Sequence, residues 1–417
     1  AGVRNVQPRP SVGFKFHAVL VVHSAHLASI SSADEDRWLP IFWAIDNFKS
    51  SQRRDEKEGD WTLAPVEERL VPSARLAGGR LQDALDRWDE QAADVAVVGL
   101  VRNAGAQQVF DLLASYAARD FRSIGHKAIY LSNAFRTLQT IGWDHAEPVM
   151  RSLVYAMLNH EGEPNPADSD LIPDRVGRTN RRLLAKLPDN WNEGRTDDAA
   201  TAGLVDALHD CSPEEASDEL VQLIGRGVAV NSIWDALFAS AGELSMRQRG
   251  IVSLHAVTTT NAMRHAFGQT GDEQTRRFLL LQNASFLAHF REAARDRGRI
   301  NDRRITELKS DDHSGDPVSV PEIFRSIRQS RDTACEKMHR YLSAGGNPQL
   351  AVDHARRLVF LKGNDSHDYK FSSAALEDYR LLSRPWRNRF LAASVFQLRG
   401  ESDSTRPLVQ RIRDALT

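Results

Sequence analysis

Apolar residues in this 417-residue chain recur at spacings of three and four over segment after segment, and nowhere do they alternate singly for the length of a strand. That pattern commits the chain to helices. It resumes over residues 81–118 with a turn at Asn103-Ala104-Gly105, and it returns over 121–135, 144–157, 204–208, 214–224, 232–244, 251–263, 279–290, 323–342 and 350–361. No internal period of 20–50 residues accompanies it, so solenoid arrays are not indicated. The expectation is an all-α fold: one large helical bundle-like domain over residues 1–417, with its site between core helices. Charged or Pro/Gly-bearing stretches near 50–80, 161–198 and 295–320 are expected as surface excursions.

Composition narrows the function classes. Lys and Arg together number 54 against 56 Asp and Glu, so no net field draws the chain to nucleic acid or to an anionic membrane. No apolar run is long enough to span a bilayer, and the first ten residues lack the apolar core of a signal peptide. Two cysteines, Cys211 and Cys335, exclude a disulfide framework and a cysteine-only zinc or iron–sulfur site, and they suit a reducing, cytoplasmic setting. Phosphate-binding glycine loops, a Gly-x-Ser-x-Gly elbow, a His-Glu-x-x-His helix and Cys-x-x-Cys-His are absent.

Histidines on apolar helices remain. The segment 14–29 is apolar nearly all round and carries His17, His23 and His26; His23 and His26 share a face, while His17 lies half a turn from His26 on an ideal helix. The three cannot meet one point unless that helix breaks. His126 stands beside Gly125 and Ala128 in a helix that also carries Tyr130, and His255 sits among apolar and hydroxyl residues in Ile251-Val252-Ser253-Leu254-His255-Ala256-Val257-Thr258. Near the C-terminus, Gly363-Asn364-Asp365-Ser366 starts a helix in which His367 and Lys370 share the first turn.

Each of these histidines alone reads as a satisfied core residue, and Lys370 as one that snorkels to solvent. Together, His23, His26, His126, His255 and His367 place imidazoles on several helices of one bundle, the donor set of iron, zinc, copper or nickel. The carboxylates nearest in sequence, Glu147, Glu243 and Asp368, lack the spacing of a Glu-x-x-His pair. A lysine in a dry site can substitute, because its neutral amine adds carbon dioxide to give a metal-binding carbamate.

The order Ser24-Ala25-His26-Leu27, His126, His255-Ala256-Val257-Thr258 and Asp365-Ser366-His367-Asp368-Tyr369-Lys370 resembles the questin oxidase-like family, anthraquinone ring-cleaving enzymes that include a non-haem iron dioxygenase with a carboxylated lysine. The resemblance implies a metal-dependent oxidoreductase that uses iron and dioxygen to oxygenate or cleave an aromatic or polyketide-like ring. It implies ligation by His26, His126, His255, His367 and a carbamate on Lys370. His23, with His17 as the alternative, stands in for the second N-terminal ligand, and Tyr369, Tyr130 and Trp43 wall the pocket, the two tyrosines as catalytic candidates. Two rival readings use the same residues: a zinc-type hydrolase, in which the metal lowers the pKa of a bound water, and a non-enzymatic helical protein with structural histidines. The partners expected are a small molecule and dioxygen.

Overall fold

The computed structural model describes residues 2–8, 17, 19–158, 163–308 and 317–416. It is 72% helical, with 20 α-helices and no strand among the described residues. The one β-type pairing is an isolated parallel bridge between Arg195 and Val228. The all-α expectation therefore holds. No helix among the described residues is long and apolar enough to cross a membrane.

By compactness the chain divides into two units where the sequence suggested one domain. The first comprises Ala1–His23, Ile45–Ala185 and Ala262–Asn283, and the second Ser24–Ala44, Lys186–Asn261 and Ala284–Thr417. In the first unit, Ala74–Asp86, Glu90–Asn103 and Ala146–Leu158 pack in succession, and His126–Ile141 lies against the last of these. Their shared core buries Leu81, Val97, Met150 and Leu153 completely. Gly177, in the helix Ile172–Leu183, permits a close approach: a Cβ there would fall 2.1 Å from the Arg119 carbonyl oxygen.

In the second unit, Val230–Arg247 packs on Asp198–Leu208 and on Arg384–Ser394, where the rings of Phe238 and Phe390 meet at 5.8 Å. Local sequence explains where its helices begin. Ser212 and Glu215 form a reciprocal capping box with Pro213 in the first turn, and Asp197 accepts from the Ala200 amide at 2.8 Å.

The apolar segment 14–29 falls partly on residues 14–16 and 18, outside the described residues. What is described contains a break. The Val21 amide donates to the His17 carbonyl at 3.0 Å, Val21 is a turn, and Val22–Ile30 then forms a separate helix. Helices also enter the expected excursions. Trp38–Lys57 and Ala74–Asp86 reach into 50–80, and Ile172–Leu183 lies within 161–198 because Pro173 occupies its first turn, where a missing amide costs nothing. The stretch 295–320 holds only a short 3-10 turn, Ile305–Glu307, and the start of Val320–Ser326; its residues 309–316 lie outside the described ones.

The aromatic run that opens Trp38–Lys57 divides between core and surface: Trp43 is 5% exposed while Trp38 and Phe42 are 45% and 38% exposed. The helical period explains the split: Trp38 and Phe42 lie on one stripe, and Trp43 lies with Leu39 on another.

Candidate metal centre

In the first unit the site begins with a strained turn. Ser123, Ile124 and Gly125 take consecutive left-handed conformations, with φ of +59°, +47° and +77°. Glycine bears this freely, but a β-branched isoleucine does not, and non-glycine residues held there cost about 1–3 kcal/mol each. Buried ion pairs flank the strain and hold it. Lys127 Nζ donates to both Asp120 carboxylate oxygens at 2.8 and 2.9 Å, Asp120 also accepts the Arg122 amide at 3.1 Å, and Arg122 Nε donates to Asp174 at 2.9 Å.

The product of the turn is the orientation of His126, first residue of the helix His126–Ile141. Its Nδ1 lies 2.5 Å from the Ser123 carbonyl oxygen. A carbonyl only accepts, so Nδ1 carries the proton and Nε2 presents a lone pair. That lone pair faces His17, whose Nε2 is 2.8 Å away with the rings tilted at 56°. His17 and His126 are both buried, at 4% exposure each. In this arrangement the His17 Nε2–H donates to His126.

His255, in the second unit on the helix Ile251–Gln269, repeats the device. Its Nδ1 donates to the Ile251 carbonyl at 2.7 Å, one turn earlier, which again leaves Nε2 unprotonated. The His255 and His367 rings meet edge to face, with centroids 5.3 Å apart. Asp365 caps the helix Ser366–Asp378 by accepting the His367 amide at 2.8 Å, and it also faces His367 Nδ1 at 3.2 Å. Burial lowers the His367 pKa, against the pull of Asp365, so its neutral form is favoured.

Lys370 does not snorkel. It is 2% exposed, its Nζ has no hydrogen-bond partner, and burial pulls its pKa down to about 7, opposed by Asp365. Beside it, the Tyr369 ring stacks on Trp43 at 3.9 Å and 17°, and the Tyr369 hydroxyl is buried without a partner. Burial raises the Tyr369 pKa and keeps that hydroxyl protonated. Tyr130, one turn after His126, exchanges a 2.7 Å hydrogen bond with Ser152 in the core.

The three carboxylates weighed from sequence are engaged elsewhere. Glu147 accepts from Arg102 at 2.8 Å, and Asp368 takes a two-point contact from Arg399 at 2.9 and 2.6 Å. Glu243 accepts from His209 Nδ1 at 2.7 Å and from the Ile305 amide at 2.8 Å. His23 and His26, the expected N-terminal ligands, are half-buried on Val22–Ile30, and the first-unit partner of His126 is His17. Sequence reasoning preferred His23 to His17 because one continuous helix turns His17 away from His26, and nothing in the residue pattern marks the turn at Val21. Nor does Ser123-Ile124 announce a left-handed turn; Gly125 is its one visible sign.

Comparison with protein-family models, with curated proteins and with solved structures finds no match to this chain.

Proposed function

We propose that His255 and His367, with Lys370, hold one transition-metal ion within the second unit, in a non-haem oxidoreductase acting on an aromatic or polyketide-like ring. The supporting observation is that the buried His255 ring meets the His367 ring with centroids 5.3 Å apart, one turn before a buried Lys370 whose Nζ has no hydrogen-bond partner. The fixed tautomer of His255 strengthens it, since a backbone carbonyl is a common partner for the second ring nitrogen of a metal-ligating imidazole. A donor set of neutral imidazoles fits iron, zinc, copper or nickel. As iron, the ion would supply one-electron chemistry with dioxygen and open positions beside the histidines.

The chain's own groups define the rest. Lys370, about half neutral at pH 7, adds carbon dioxide at Nζ with loss of a proton, and the resulting carbamate supplies the anionic donor that Glu147, Glu243 and Asp368 do not. The Trp43–Tyr369 stack offers a flat apolar wall to an aromatic ring, and the Tyr369 hydroxyl holds a proton at Oη for a substrate oxygen. Two unpaired cysteines favour a reducing, cytoplasmic setting.

A zinc-type hydrolase is the second reading, favoured because two imidazoles with one anionic oxygen donor are a known arrangement around catalytic zinc. The test is elemental analysis of protein purified without a histidine tag, followed by anaerobic iron loading and measurement of oxygen uptake. About one metal per chain in wild type, with His255→Ala and His367→Ala each losing most of it while keeping their helicity, is the expected result. Full occupancy in both variants refutes the centre. Oxygen uptake that depends on iron and rises with bicarbonate supports the oxidoreductase, whereas bound zinc without oxygen uptake selects the hydrolase.

A further inference from the structure

A second site lies within the first unit, at a cleft of about 720 Å³ whose lining includes Arg119, Arg178 and Arg181 together with Tyr116, Asp111 and Asp174. We propose that it binds a small organic anion, through a carboxylate or phosphate group held between the guanidinium groups of Arg119 and Arg181. None of the metal-centre histidines contributes to it.

The argument rests on which charges are already used. Asp174 is taken by Arg122 at 2.9 Å, and Asp111 accepts from Thr270 Oγ1 at 2.7 Å and from the Gly271 amide at 2.9 Å. Asp86 accepts the Tyr116 hydroxyl at 2.7 Å, and Asp272 caps a helix through the Thr275 amide at 2.6 Å. The acids of the cleft are thus engaged by donors other than Arg119 and Arg181. Arg178 is spent on the Ser169 and Pro166 carbonyls.

Arg119 and Arg181 differ. The Arg119 side chain is 9% exposed, and its nearest carboxylate oxygen, on Asp120, is 4.0 Å away. Its Nη1 donates to the Leu85 carbonyl at 3.1 Å, but its Nε has no hydrogen-bond partner. An unmet donor on a buried cation is costly. Arg181 lies over the Phe278 ring at 4.6 Å, and among the described residues no carboxylate pairs with it. Burial chiefly, and the nearby positive Arg181 in part, disfavour the Arg119 charge despite Asp120, so an anion between the two would relieve both.

The pair is also rigidly set, as a recognition site requires. Arg119 sits at 5.0 Å from the Trp88 ring and 5.4 Å from Tyr116. Its carbonyl accepts from Gln282 Nε2 at 3.2 Å, and Gln282 in turn accepts from Asn180 at 2.7 Å, on the helix that carries Arg178 and Arg181. Gly177 brings that helix against the Arg119 backbone. Guanidinium forks match the oxygens of carboxylate and phosphate, and the cleft's volume falls in the range of small-molecule sites.

Calorimetric titration at low ionic strength tests this with two probes, benzoate and inorganic phosphate. Wild type is expected to bind at least one of them, and the tighter probe assigns the anionic group. Arg119→Gln and Arg181→Gln should each weaken binding roughly tenfold or more, as loss of a charge-assisted hydrogen bond does. Arg75→Gln, an exposed change away from the cleft, should not. Because Arg119 is buried, Arg181→Gln, at the mouth, is the decisive variant should the first fail to fold. Gly177→Ala, which keeps both charges but displaces the helix, should weaken binding too. No binding of either probe, or binding equally weakened by Arg75→Gln, overturns the proposal.

Discussion

Lys370 departs furthest from the habits of its residue type. Its folded pKa of about 7 lies below the ordinary 10.5, so between those values the unfolded chain holds a proton that the folded chain has released. Folding is therefore penalised below pH 7, and the penalty fades as pH rises toward 10.5. In metal-free protein, Lys370→Met should stabilise the fold by about 4 kcal/mol at neutral pH. That gain should disappear in strongly alkaline buffer, as urea denaturation at a series of pH values would show. A gain that ignores pH would mean that Lys370 is solvated. This residue was legible in part. The capping run Asp365-Ser366 announced the helix start, and the three-residue spacing to Lys370 placed it one turn from His367; only packing could show whether it turned inward. His17 was legible only as an alternative to His23; its pairing with His126 was not, because it depends on a turn at Val21 and on left-handed Ser123 and Ile124, positions whose side chains favour neither.

At the scale of the element, helical periodicity marked most segments and capping chemistry marked several of their starts. Their orientation about their own axes was less visible. Trp38–Lys57 shows why: with three aromatics in its first six residues, composition alone made all of them core candidates, and only the buried face of the finished helix selects Trp43. Trp43→Ala should cost about 3–5 kcal/mol, since it removes the Tyr369 stack and leaves a cavity. Trp38→Ala and Phe42→Ala should each cost under about 1 kcal/mol. Thermal unfolding of the three variants checks this, and equal losses would place all three rings inside. The three carboxylates illustrate the same limit. Their sequence neighbours are acceptable for ligation, yet each is claimed by a partner far away in sequence: Arg102 for Glu147, His209 for Glu243 and Arg399 for Asp368.

For the whole molecule, buried histidines set both flanks of the pH-stability curve. His209 donates from Nδ1 to Glu243 at 2.7 Å and from Nε2 to Asp302 at 2.8 Å, which requires the charged ring. Glu243 chiefly, with Asp302 adding to it, raises the His209 pKa above 6.5, so its stabilisation is present below that value and lost as pH climbs through the folded one. His265 and His289 do the opposite. Burial pulls them to about 2 and about 4, so the unfolded chain gains protons first and stability falls as pH drops below 6.5. His209→Gln should flatten the alkaline flank and leave the acid flank unchanged in denaturant titrations across pH; an unaltered alkaline flank would show that His209 is neutral. The course of the chain has a further consequence. Each unit is assembled from three separate stretches, and four of the five crossings fall inside the helices Val22–Ile30, Trp38–Lys57, Ile251–Gln269 and Glu273–Arg295. Wherever a ribosome stalls or a gene is truncated, at least one unit is therefore left without part of its own sequence, so no single cut of the chain yields either unit whole and by itself.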